Sequence, residues 1–157
     1  MNKIKTRQEI VDYIKNNREN KTIVFTNGCF DILHIGHIKL LQFAKNSGDI
    51  LVLGLNSDSS IKRLKGDKRP IVCQEDRAEV LSALDCVDFI SIFDEDTPCE
   101  LISLLKPDIH VKGGDYDVDK IPEAKIIKSY GGKILKFEFI PNHSSTRIIE
   151  KILSAYK

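Results

Sequence analysis

The sequence predicts an α/β domain built on a doubly wound parallel sheet. Strand-like and helix-like segments alternate along all 157 residues, the pattern of a parallel sheet covered by helices. One apolar run, Ile50-Leu51-Val52-Leu53-Gly54-Leu55, is continuous rather than alternating, as suits a strand buried on both faces. The polar clusters fall where strands hand over to helices, and there such sheets bind ligands.

Thr6 and Glu9 form a capping-box pattern, so a first helix is expected over about 6–16, with Ile10, Val11 and Ile14 as its apolar stripe. Lys21 to Asn27 reads as the first core strand. Ile38, Leu40, Leu41 and Ala44 mark a helix ending near Asn46-Ser47-Gly48, and Ile50 to Leu55 is the second strand. Asn56-Ser57-Asp58 suits a strand end followed by a helix cap. The stretch that follows to Pro70 is polar and basic, and reads as a cation-bearing loop with Arg63, Lys65, Lys68 and Arg69. Glu75 to Leu84 is helical, Val87 to Phe93 a strand, and Pro98 to Leu105 a helix whose proline is tolerated in the first turn. Pro107 to Lys112 gives a further strand before the turn Gly113-Gly114-Asp115. Glu123 to Ser129 is a helix closed by Gly131-Gly132, Ile134 to Phe139 the last strand, and Ser144 to Ala155 the last helix. No internal repeat or low-complexity linker divides the chain, so a single domain over 1–157 is expected.

The charge is nearly balanced, with 24 basic and 23 acidic residues, and no basic block or aromatic–basic pattern calls for nucleic acid. No signal peptide or apolar span long enough for a membrane is visible, which points to a cytoplasmic protein without a membrane partner. Cys29, Cys73, Cys86 and Cys99 are scattered without a CxxC pair and read as reduced thiols.

The most informative run is Gly28-Cys29-Phe30-Asp31-Ile32-Leu33-His34-Ile35-Gly36-His37. It places two imidazoles at a strand-to-helix junction, where unpaired N–H groups and the helix dipole favour phosphate. Gly36 allows a phosphate to approach the backbone. The same residues also suit a plain helix-capping loop, and Cys29, His34 and His37 are a conceivable zinc set, although the spacing matches no familiar structural site. Arg63 and Lys65 can close over a polyphosphate or form an ordinary solvated surface. Asp58 is a hydroxyl ligand or a cap; Asp31 a turn residue or a ligand for a magnesium–phosphate complex; Asp115 a ligand or a turn residue. Ser144-Ser145-Thr146-Arg147 opens the last helix, where it can cap the helix and bind phosphate at once. Neither a GxxxxGK[ST] loop nor a GxGxxG fingerprint is present.

His34-Ile35-Gly36-His37 resembles the HxGH signature of the nucleotidyltransferase superfamily that contains the cytidylyltransferases and phosphopantetheine adenylyltransferase. Ser144-Ser145-Thr146-Arg147 resembles its C-terminal ISSTxxR signature, with His143 where isoleucine is usual. The longer segments Asn27 to His37, Asn56 to Ser60, Arg63-Leu64-Lys65-Gly66, Arg69-Pro70, Glu75-Asp76-Arg77 and Val111 to Tyr116 resemble the heptose 1-phosphate adenylyltransferase branch over about residues 21–155. That resemblance implies a Rossmann-like nucleotidyltransferase fold. It also implies transfer of a nucleotidyl group from ATP, or from GTP, to D-glycero-D-manno-heptose 1-phosphate with Mg2+. His34, His37 and Lys65 would be catalytic. Thr26, Asn27, Gly28, Phe30, Gly36, Arg63, Lys112, Gly113, Ser144, Ser145 and Thr146 would hold nucleotide and phosphate. Asp31, Asp58 and Asp115 would meet the acceptor, with Asp31 also a candidate metal ligand. The family further implies a homodimer of a stand-alone transferase, fed by a separate heptose kinase and phosphatase. The alternatives are a cytidylyltransferase for a small polyol phosphate or phosphocholine-like substrate, and a non-catalytic nucleotide-binding protein.

Overall fold

A computed structural model describes residues 2–115, 117–138 and 140–156. Tyr116, at the end of one motif, and Phe139, at the end of the last expected strand, lie outside the described residues. The elements are α1 (Arg7–Asn17), β1 (Ile23–Gly28), α2 (Ile35–Asn46), β2 (Ile50–Asn56), α3 (Asp58–Lys65), α4 (Gln74–Ser82), β3 (Phe89–Phe93), α5 (Cys99–Leu105), β4 (Ile109–Gly113), α6 (Ala124–Ser129), β5 (Lys133–Phe137) and α7 (Ser145–Ala155).

The capping box of α1 forms as expected: Thr6 accepts from the Glu9 amide, and the Glu9 carboxylate accepts from the Thr6 amide at 2.8 Å. All seven residues of β2 are buried, because helices cover both of its faces. Leu40, Leu41 and Ala44 of α2, with Ala78 and Leu81 of α4, pack on Leu51, Leu53 and Leu55. Ile10 and Ile14 of α1, Leu101, Ile102 and Leu105 of α5, and Ile127 of α6 pack on Ile23, Phe25 and Val52. The strand order is β3-β2-β1-β4-β5, with every pairing parallel. The chain therefore winds outward in one direction from β1 to β3, then returns to the other side of β1 with β4. The gap above the C-terminal ends of β1 and β4 is the topological switch point, where an open parallel sheet binds its ligand.

Two elements depart from the sequence reading. The helix expected from Ile38 begins one turn earlier, at Ile35. His34 is its N-cap, its Nδ1 accepting from the Gly36 amide at 3.1 Å, so an imidazole takes the role usually played by a hydroxyl or carboxylate. The supposed basic loop carrying Arg63 and Lys65 is the last turn of α3. Ser57 caps that helix by accepting from the Ser60 amide at 3.0 Å, Ile61 anchors it in the core, and Gly66 closes it at φ 89°. Polar residues dominate α3, so its helical period was hidden in the sequence.

Candidate active site

β1 ends in the loop that delivers both histidines. Phe30 adopts φ 45° and turns its ring against His37, with centroids 4.9 Å apart. The His34 and His37 rings stack with centroids 3.8 Å apart and an interplanar angle of 24°. The Nδ1 of His37 accepts from the His34 amide at 3.4 Å, as the Nδ1 of His34 does from Gly36. With both Nδ1 atoms serving as acceptors, the neutral proton of each ring sits on Nε2, and each ring has an N–H left to donate. Burial pushes the His37 imidazole down to about 4, with the charges of His34 and Lys65 adding to that effect and Asp31 opposing it. Burial and then the charge of His143 lower His34 as well. The pair is therefore a set of neutral donors at neutral pH. A Cβ on Gly36 would lie 3.0 Å from the His34 ring, so glycine is what lets the imidazole fold over the helix start.

A cavity of about 420 Å³ opens beside this pair, with His34, His37, Lys65 and Arg69 on one side and the segment 140–147 on the other. Ser144 caps α7, accepting from the Arg147 amide at 3.2 Å, and Ser145 donates to the Ile32 carbonyl at 3.3 Å. That bond ties the α7 terminus to the histidine loop. Two helix N-termini, α2 and α7, thus face one cavity with a lysine and an arginine at its rim. Unpaired N–H groups, positive dipole ends and cations together favour a multiply charged anion.

A second lobe of about 370 Å³ shares His37, Leu40 and Lys65 with the first and reaches Asn27, Gly28, Phe30, Lys112 and Gly113. Lys112 donates to Glu123 at 2.8 Å, and Glu123 is only 1% exposed. The buried Asn27 Oδ1 and Glu123 Oε2 have no hydrogen-bond partner among the described residues. A more open hollow of about 570 Å³ lies at the opposite end of the sheet around Arg18, Lys106 and Lys133, away from every motif residue.

The structure gathers His34, Gly36, His37, Lys65, Ser144, Ser145 and Thr146 around the first lobe and Asn27, Gly28, Phe30, Lys112 and Gly113 around the second. Other expected ligands stand elsewhere. Arg63 is two positions before Lys65, about 200° away around a helix, and its guanidinium bonds the Asp94 carbonyl and Asp96 instead. Thr26 is buried and donates to the Val111 carbonyl at 2.8 Å, joining β1 to β4. Asp115 is fully exposed and pairs with Lys136 at 2.7 Å, which lowers its pKa. Asp58 pairs with Arg77 at 2.7 Å.

Asp31 is tied to the segment that follows α3. Its carboxylate is 1% exposed and accepts from Arg69 Nε at 2.5 Å, the Ile71 amide at 2.8 Å and the Val72 amide at 2.9 Å. Those donors occupy both oxygens. Among the described residues, no group of three or more His, Cys, Asp or Glu side chains can hold a metal ion, and Cys29 is an unpaired thiol.

The sequence reading gave no role to Arg77. Its buried guanidinium donates to the carbonyls of Val72, Cys29 and Asn56 and to Asp58. It pins the C-terminal ends of β1 and β2 to α3 and α4. No local pattern marks an arginine for burial; its four partners come from three separate chain segments.

The parallel sheet, its switch point and the flanking helices make a Rossmann-type nucleotidyltransferase fold. A family model described as cytidylyltransferase-like matches residues 25–151, and the chain belongs to that family. It is 56% identical over 138 residues to the bifunctional protein HldE of Geobacter sulfurreducens, covering 88% of this chain and 28% of that protein. It is 51% identical over 156 residues to HldE of Syntrophotalea carbinolica, covering 99% of this chain and 32% of the relative. The chain thus spans about a third of the length of these curated relatives. Among solved structures, a lipopolysaccharide core biosynthesis protein from Thermoplasma volcanium superposes with a TM-score of 0.62 at 31% identity, covering 77% of this chain and 98% of the other. A pantoate–β-alanine ligase from Francisella tularensis, at 15% identity and a TM-score of 0.61 over 96% of this chain and 77% of the other, shares the fold. Family membership puts the chain among the nucleotidyltransferases. Among the described residues, no helix is long and apolar enough to cross a membrane.

Proposed function

We propose that the protein transfers a nucleoside monophosphate from ATP, with GTP as the alternative donor, to D-glycero-D-manno-heptose 1-phosphate, forming NDP-heptose and pyrophosphate. The single observation that carries this reading is the stacked His34–His37 pair, which presents neutral N–H donors to a cavity bounded by two helix N-termini. Identity to HldE proteins along nearly the whole chain supports the heptose acceptor.

An oxygen of the acceptor phosphate attacks the α-phosphorus of the triphosphate. The bond from that phosphorus to the bridging oxygen of the β-phosphate breaks, and pyrophosphate leaves with the bonding electrons. The nucleophile is already anionic, so no protein base is required. His34 and His37 donate from Nε2 to oxygens whose charge grows in the transition state. Ser144, Ser145 and the α7 N-terminus hold the departing phosphates, and Lys65 bridges the two lobes. Lys112, Asn27 and Gly113 line the second lobe for the non-phosphate parts of the substrates.

Magnesium, bound to the triphosphate as part of the substrate, neutralises its charge. Among the described residues, no group of three or more His, Cys, Asp or Glu side chains forms a resident cage for it. Cytoplasmic location, a homodimer, supply of the acceptor by a kinase and a phosphatase, and delivery of the product to lipopolysaccharide or another cell-surface polysaccharide belong to the same proposal.

The test is pyrophosphate release from ATP, GTP and CTP against both anomers of heptose 1-phosphate. Rapid release with ATP or GTP and one anomer is expected. A preference for CTP with a polyol phosphate would replace heptose by the cytidylyltransferase reading. Nucleotide binding without release across the panel would leave a binding protein.

A further inference from the structure

The segment after α3 folds back on the histidine loop through a single carboxylate. Asp31 lies three positions before His34, in the same loop. It receives Arg69 Nε at 2.5 Å and the amides of Ile71 and Val72 at 2.8 and 2.9 Å. The Arg69 amide also bonds back to the Gly66 carbonyl at 3.0 Å, so the turn leaving Lys65 is closed on itself. Arg69 is 13% exposed at its side chain and lines the first lobe with His34, His37 and Lys65. Only its Nε is used by Asp31. The terminal guanidinium nitrogens have no hydrogen-bond partner among the described residues.

A guanidinium gripped at Nε by a carboxylate that cannot itself move has a fixed plane. Its terminal N–H groups form a rigid fork suited to two phosphate oxygens. Immobilising that long side chain in advance removes an ordering cost from ligand binding. The pair is nearly neutral as a unit, so what it gives a phosphate is directed donors more than net charge. We propose that Arg69 is a direct contact of the pyrophosphate portion of the donor, and that Asp31 is its positioning residue. This rests on the nucleotidyl-transfer reading, because it assumes that the first lobe takes the triphosphate.

The sign of the Asp31 effect separates positioning from plain electrostatics. Removing a negative charge beside a polyanion site strengthens anion binding if charge alone acts. It weakens binding if the carboxylate holds the arginine. Calorimetric titration with pyrophosphate in excess magnesium, which needs no acceptor, reads this directly. R69A should weaken pyrophosphate binding about tenfold or more, the size of a lost charge-assisted contact. R69K should recover only part of that loss, because an ammonium cannot reproduce the fork. D31N should also weaken binding, and D31N combined with R69A should bind no more weakly than R69A alone. In steady-state assays the same variants should raise the KM for NTP while leaving that for the acceptor near the parent value. Parent-like pyrophosphate affinity in R69A, or tighter binding in D31N, would overturn the assignment while leaving nucleotidyl transfer intact. If D31N does not fold, R69A and R69K still decide the Arg69 contact. A parent protein that binds no magnesium pyrophosphate would overturn the nucleotidyl-transfer reading and this proposal with it.

Discussion

His34 and His37 stack with ring centroids 3.8 Å apart, and each gives its Nδ1 to a backbone amide of the helix start. The stacking and the amides fix both the ring planes and the tautomer, so the pair is prepared before any ligand arrives. Preorganised donors of this kind act mainly on the transition state.

Replacing either histidine by alanine should lower kcat by roughly 100-fold or more, the scale of a lost transition-state contact. Circular dichroism and thermal unfolding should show a folded protein, since both rings border the cavity. Near-parent turnover in a folded H34A or H37A variant would remove that residue from the proposed role.

The low His37 pKa gives a pH signature. In the free protein its imidazole should titrate near 4, well below 6.5, when followed by NMR of the ring protons. The acid limb of kcat/KM, which reports free-enzyme ionisations, should then show no His37 step near 6.5. His110 is fully buried in β4, and burial takes it to about 4 too. A histidine whose folded pKa is depressed binds fewer protons folded than unfolded. Its stabilising effect is complete above about 6.5 and is lost as pH falls towards 4, by about 3 kcal/mol at most for His110. Acid unfolding monitored between pH 7 and 4 should show that loss, and stability that is flat across the window would contradict it.

Lys65 and Lys62 share one helix but not one role. Lys65 lines both lobes, whereas Lys62 is exposed and lines neither. K65A should reduce kcat/KM markedly more than K62A when both folded variants are assayed side by side. Equal kinetics would show that the charge of α3 matters only in bulk.

Turnover should stop in EDTA and return with added magnesium, because in the proposed mechanism the divalent ion enters with the triphosphate. Elemental analysis of the purified protein should find no stoichiometric zinc. Zinc whose removal unfolds the chain would revive the Cys29, His34 and His37 site.

The order of strands and helices was legible because parallel-sheet strands and their covering helices carry strong apolar patterns, as in β2 and α2. The His34 cap was not, since imidazole is not among the usual capping groups. The helical nature of α3 was masked by its hydroxyls and lysines, and with it the separation of Lys65 from Arg63. The motif residues around the two lobes could be picked from the sequence because short local spacings bring them to strand ends. The partners of Asp31 and Arg77 could not. Asp31 and Arg69 are 38 positions apart, and their contact is set by how two loops pack over the sheet. For that reason the sequence leaves Asp31 open between turn residue and ligand, and Asp58 between cap and ligand, with their arginine partners hidden.

The most direct measurement follows the oxygen that the proposed mechanism requires to move. Heptose 1-phosphate carrying 18O in its non-bridging phosphoryl oxygens should be incubated with ATP, or with GTP if that is the donor, and the products resolved by mass spectrometry and 31P NMR. The label is expected in the diphosphate of NDP-heptose, one of its oxygens now bridging the two phosphorus atoms, with one unlabelled pyrophosphate formed per product. Label in pyrophosphate, or release of orthophosphate in its place, would contradict attack by the acceptor phosphate on the α-phosphorus.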